Sequence, residues 1–202
     1  MNFISPGKIL AAGLTLIASL TFYACSCSCS DSQSTIPERV LRNSNNFIIS
    51  KVGKDFFDKY IKPDIQNTKE INSKYYMVYS FKIPDKPYVD TKIKFTADTM
   101  GLVVDRANVV GLPECLSHPE KCQFNIDEAQ AKKIAAQNNF KRGIKDWKVE
   151  FKWEPKYDQY VWSILSTFEE AQSSFGFRGN GEIMLIDPNS GEVISNDTWR
   201  VL

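Results

Sequence analysis

Apolar residues recur in the same order along two stretches of this 202-residue chain. In the first, Ile48, Ile49, Val52, Phe56 and Tyr60 fall three to four residues apart, with Lys51, Lys54, Asp55, Asp58 and Lys59 among them. That spacing paints one stripe of a helix, and Pro63 ends it. Tyr75, Met77, Tyr79, Phe81 and Ile83 then take every second position, which predicts a strand over 74–83. After a loop with Pro84 and Pro87, Ile93, Phe95 and Ala97 alternate with Lys92, Lys94 and Thr96 in a second strand. Asp98-Thr99-Met100-Gly101 turns the chain into Leu102-Val103-Val104, a third.

The second stretch repeats this order. Asn125, with Glu128 three residues on, is a capping-box variant opening a helix over 126–136. Asp127 and Glu128 stand at its positive end, Lys132 and Lys133 later. Strands follow at 147–153, at 159–166 (Tyr160, Trp162 and Ile164 on one face) and at 181–186. A hairpin turn over 187–191 leads into 192–195, and 168–181 reads as a polar, Gly-containing loop, either plain surface or a tip touching a partner. Laying 95–103 over 185–193 puts Gly101 on Gly191 and Val103 on Val193, with the Asp offset by one place, a weak internal duplication. The fold class expected is α+β: two tandem small units at 45–110 and 124–202, each a helix packed on a short antiparallel sheet, joined by a connector at 111–123.

Residues 1–24 differ from all this. Lys8 is their one charged side chain, and the apolar run from Ile9 to Phe22 is 14 residues long. A span of about 30 Å of hydrocarbon needs roughly 20 residues, so the run fits the apolar region of a secretory signal peptide. Phe22-Tyr23-Ala24-Cys25 resembles the lipobox of bacterial lipoproteins, in which a small residue precedes a cysteine that receives diacylglycerol and becomes the new N-terminus. Ala24 and Cys25 match, whereas Phe22 and Tyr23 depart from the pattern, so ordinary cleavage and an uncleaved anchor stay open as alternatives. The resemblance implies a signal peptide at 1–24 and lipidation at Cys25. Ser26 in place of Asp implies the outer membrane, facing the periplasm or the cell surface. The Ser-rich 25–44 reads as a flexible tether. Cys27, which follows Ser26, is an alternative acceptor; otherwise Cys27 and Cys29 are incidental or form disulfides outside the cytosol.

Ile126-Asp127-Glu128-Ala129 with Ile134-Ala135, then Trp147 and Val149, Tyr160 and Trp162, and Ile186-Asp187 through Gly191-Glu192-Val193-Ile194 resemble the PepSY domain. This small exported module is named for peptidase propeptides, and its fold is one helix on a short antiparallel sheet. The resemblance covers about 124–196, and 45–105 looks like a diverged copy. It implies tandem PepSY/cystatin-like units that bind or restrain a peptidase or another protein of the cell envelope. A structural or assembly factor of an envelope complex is the alternative. An exposed sheet edge pairing with an extended partner segment is the mode such sheets offer.

Composition narrows the chemistry. Lys and Arg total 25 against 24 Asp and Glu, which lacks the basic field of a nucleic-acid binder. Lys8 belongs to the leader, so the mature chain is evenly balanced and any membrane attachment falls to the lipid. With His118 as the one histidine, a multi-His zinc site is impossible and a hydrolytic triad would have to use that residue. Cys115 and Cys122, in an exported chain, most simply form a disulfide clamping the connector. A metal site of Cys115, His118 and Cys122 is the sharper but poorer reading, for it lacks a fourth matching ligand. Asp187-Pro188-Asn189-Ser190-Gly191 resembles the start of a calcium loop, but its Gly comes one place early and Thr198 holds the twelfth position, so it reads as a turn. Trp147, Phe151, Trp153, Tyr160 and Trp162 read as core packing rather than as a ligand cleft. No phosphate loop, nucleophile elbow or carboxylate pair can be placed, so the expectation is a binding protein without catalytic residues, metal or cofactor.

Overall fold

The computed structural model describes residues 36–173 and 176–201. Among the described residues, three α-helices and two four-stranded antiparallel sheets make an α+β fold. The expected signal peptide, Cys25, Cys27, Cys29 and the first part of the expected tether lie outside the described residues.

Helix α1 (Glu38–Val52) starts inside the segment expected to be tether. Its buried face is Val40, Ser44, Ile48 and Val52, one residue per turn. The small Ser44 and the Asn- and Ser-rich 43–46 break the apolar signal there and carry low helix propensity, which hides the first two turns in the sequence. Gly53, at φ +84°, then breaks what the spacing presents as one helix, and α2 (Lys54–Tyr60) follows. Strand β1 (Ile61–Pro63), strand β2 (Lys69–Ile71), β3 (Lys74–Ile83) and β4 (Lys86–Ala97) form the first sheet. Both β1 and β2 pair with one edge of β3, and β4 takes the other. Asn72 and Ser73 both have positive φ, as the tight turn between β2 and β3 requires. The strand expected at 102–104 is a single bridge, Ala97 with Val103, because only Val103 of the three turns inward.

The second sheet is a meander of β5 (Lys148–Glu154), β6 (Gln159–Ser173), β7 (Gly176–Ile186) and β8 (Val193–Val201). Helix α3 (Glu128–Gln137) covers one face. Its cap is Asp127, whose carboxylate accepts from the Gln130 N–H at 2.8 Å while the Gln130 side chain accepts from the Asp127 N–H at 2.9 Å. The box therefore sits two residues later than Asn125 and Glu128 suggested. The segment 168–181 is a correction too: it is a two-stranded ribbon in which Glu169, Glu170, Ala171 and Gln172 pair with Asn180, Gly179, Arg178 and Phe177. Glu169 through Gln172 are all exposed, so the strand has no apolar side and no period-two signal.

The expected units share their core. Val40, Ile48, Phe57, Met77, Tyr79, Phe81, Ile93 and Phe95 form its first part, together with Tyr160 of β6. Trp162, Ile164, Met184 and Ile186 pack with Ala131, Ala135 and Phe140 in the second. Aromatic rings cross between them. Tyr160 stands 5.8 Å from Phe81 and stacks on Phe151 at 5.0 Å, and Tyr88 of β4 lies 5.2 Å from Trp162. Phe124, fully buried, sits within 6.1 Å of Phe81, 5.7 Å of Phe151 and 5.8 Å of Tyr160. Its backbone is left-handed at φ +46°, which costs a bulky residue about 1–2 kcal/mol. Three hydrogen bonds hold it there. Its N–H donates to Asn189 Oδ1 at 2.8 Å, and its carbonyl accepts from Lys86 Nζ at 2.7 Å and Tyr88 Oη at 2.6 Å. One residue thus draws on both sheets.

Candidate functional site

Cys115 and Cys122 are joined as a disulfide, with Cα atoms 5.5 Å apart. The loop they close is pinned to the end of α1: the Leu116 N–H donates to the Lys51 carbonyl at 2.8 Å, and Lys51 pairs with Glu114. The hydrogen bond from Lys51 holds the Glu114 carboxyl below its ordinary value. His118 is exposed and its Nδ1 lies 3.1 Å from Glu120 Oε1. With both thiols taken up in the disulfide, the loop offers His118 no thiolate with which to hold a metal. Among the described residues no three His, Cys, Asp or Glu side chains gather as a metal site.

Behind this loop the connector runs along β4, where Val110 and Lys94 exchange backbone hydrogen bonds at 2.9 Å. Gly111, Leu112 and Pro113 are buried, and Tyr160 Oη donates to the Gly111 carbonyl at 2.9 Å while lying 2.7 Å from Thr91 Oγ1. Burial pushes the Tyr160 hydroxyl far above its ordinary value, so it stays neutral. Three neighbouring hollows share lining residues here. One of about 560 Å³ lies between Asn43, Phe47, Leu102 and Val103. It shares Phe47 and Arg106 with the next, of about 310 Å³, floored by Val109, Leu112 and Pro155. Glu114 and Asp158 are common to that hollow and to a third of about 110 Å³ that includes His118 and Tyr160. Sequence reasoning found Cys115, Cys122, His118 and Tyr160 but not Arg106 or Asp158. These two come from a 3₁₀ turn and a hairpin turn about fifty residues apart, and no local pattern announces their meeting.

A different surface lies at the end of the second sheet. Strand β8 pairs with β7 alone, in register Gly179 with Val201 through Leu185 with Ser195. Among the described residues its other side has no strand partner. The strand holds no Pro and no Lys, and Asn196, Asp197, Thr198, Arg200 and Val201 are exposed. By contrast β5, at the opposite end, carries Lys148, Glu150 and Lys152 and has Tyr88 of β4 against Phe151 at 5.6 Å. The Trp199 indole lies across Gly179 and Gly181 and donates to the Ser166 carbonyl at 3.0 Å. The turn once compared with a calcium loop is a plain hairpin turn: the Asp187 N–H donates to the Glu192 carbonyl and the Gly191 N–H to that of Asp187, each at 2.9 Å. Its Asn189 has the further task of holding Phe124.

Known protein families and curated proteins offer no match to this chain. Geometry and chemistry therefore carry the functional reading alone.

Proposed function

We propose that the chain is an exported lipoprotein, anchored through lipid on Cys25 at the outer membrane, that acts without catalysis by binding a protein of the cell envelope, a peptidase foremost. In this reading it consists of tandem PepSY-like units. Support comes from strand order: each half runs helix, then an antiparallel series, β1-β3-β4 with Val103 beside β4 in the first and β5-β6-β7-β8 in the second. The closing turns also agree. The Asp98 N–H donates to the Leu102 carbonyl at 2.9 Å with Gly101 at φ +83°, and the Asp187 N–H donates to that of Glu192 at 2.9 Å with Gly191 at φ +79°.

The observation that carries the binding mode is the unpaired side of β8. An extended peptide laid along it would gain a ladder of main-chain hydrogen bonds, with Asn196, Asp197 and Thr198 beside it. A photocrosslinking residue placed at Arg200 in cells should join one envelope protein. Asp197→Pro and Thr198→Pro remove N–H groups on opposite sides of the strand, and the one that takes the outward N–H should abolish that product while the melting temperature holds. Capture that persists in both variants sinks the edge mode, and a scaffold component in place of a peptidase favours the assembly role. Mass spectrometry of the mature N-terminus tests the anchor, because an unmodified Cys25 removes it.

A further inference from the structure

We propose that the 310 Å³ hollow between α1, the 106–112 segment and the 155–158 turn binds a small zwitterion with an apolar side chain, of the amino-acid and dipeptide class. The proposal goes beyond the edge reading and does not depend on it. The floor is apolar, made by Phe47, Val109, Leu112 and Pro155. Four charged groups line the walls, and two of them, Lys51 and Glu114, neutralise each other as an ion pair. The other two, Arg106 and Asp158, make no side-chain hydrogen bond or ion pair among the described residues, with each other or with any neighbour. Local backbone keeps them apart. Arg106 opens a 3₁₀ turn fixed by Asp105, whose carboxylate accepts from the Ala107 N–H at 3.0 Å. Asp158 is set at φ +50° in the tight β5–β6 turn, with its N–H toward the Pro155 carbonyl at 3.3 Å.

A free guanidinium and a free carboxylate over one apolar floor select their ligand by charge. The planar fork of Arg106 suits a carboxylate, which it can hold through two parallel hydrogen bonds. Asp158 suits an ammonium group. A ligand with one charge alone would leave the opposite wall unmatched, and a neutral one would leave both. An apolar side chain would rest on Phe47 and Leu112 and gain the burial that makes such pockets bind. The hollow's volume is near the lower end of ligand pockets, and Arg106 also borders the 560 Å³ hollow, which gives a dipeptide's second side chain room beside Leu102 and Val103.

The test is calorimetric titration of the full-length chain in detergent with Leu-Leu, N-acetyl-Leu-Leu and Leu-Leu amide. Leu-Leu should bind, and each blocked form should bind at least about tenfold more weakly, a loss expected when a charged partner is removed. Arg106→Gln should erase the preference for the free carboxylate, Asp158→Asn the preference for the free amine, and Phe47→Ala should weaken all three ligands. Both charge variants lie on exposed turns and should melt as the parent does. Absence of saturable binding at millimolar Leu-Leu overturns the proposal. So does equal binding of the three forms, or binding indifferent to both charge variants.

Discussion

Gly181 pairs with Thr167 on one side and Trp199 on the other, beside the register shift between Thr167 and Glu169. A Cβ added there would run into the Ser166 carbonyl oxygen and stand 2.6 Å from Trp199 Nε1. Gly181→Ala must therefore lift the indole and break its 3.0 Å hydrogen bond to that carbonyl. An orphaned buried acceptor costs about 1–3 kcal/mol. Displacing packed side chains costs about 1–3 kcal/mol more, while the lower chain entropy of Ala gives back about 0.4–1 kcal/mol. The net expectation is destabilisation by about 1–5.5 kcal/mol, read as a shifted urea midpoint with unchanged slope. Trp199→Phe removes the donor without adding a Cβ and should cost about 1–2 kcal/mol. Because both changes break the same bond, the double variant should lose less than the two singles together. A Gly181→Ala protein within about 0.5 kcal/mol of the parent, or strict additivity, refutes the reasoning.

Reducing the Cys115–Cys122 bond should lower stability by about 2.5 kcal/mol, the loop-entropy value for so short a ring, measured by urea unfolding with and without reductant. Asn189→Ala leaves the buried Phe124 N–H without its acceptor and should cost about 1–3 kcal/mol, the melting temperature being the readout. At alkaline pH, burial raises the Tyr79 and Tyr160 hydroxyls in the fold, so their contribution is full below the unfolded value near 10 and fades as pH climbs above it. Tyr160→Phe should flatten that loss in a stability–pH series above pH 10. On the acid side, Asp64 is held low chiefly by the hydrogen bond from Lys92, and Glu114 chiefly by that from Lys51. Their stabilisation is present above the ordinary carboxylate value and lost as pH falls through the lowered one. Lys51→Met should soften the acid limb slightly, since the pair is solvent-exposed.

How far the fold could be read in advance depended on whether a segment keeps one wet face and one dry face. Strand β3 does, and the spacing of Tyr75 through Ile83 predicts it with the bounds observed. The 168–173 arm of the ribbon has no dry face, and the first turns of α1 bury the small Ser44, so neither carries a pattern. Phe124 was invisible for a different reason: nothing in Gln123-Phe124-Asn125 signals a left-handed residue, which is imposed by Asn189, Lys86 and Tyr88 from afar. The same holds for the candidate site. Local chemistry picked out the cysteines and the histidine, whereas the unpaired Arg106 and Asp158 exist as a pair only through tertiary packing.

Phe124 opens the second half of the chain, yet its ring and its backbone draw on both halves. A fragment ending before it would leave Phe81 facing water, and one beginning after it would do the same to Phe151 and Tyr160. The two halves therefore cannot be exchanged as cassettes. Transplanting either onto another scaffold would demand a substitute for this one aromatic residue and for the left-handed bend that aims it.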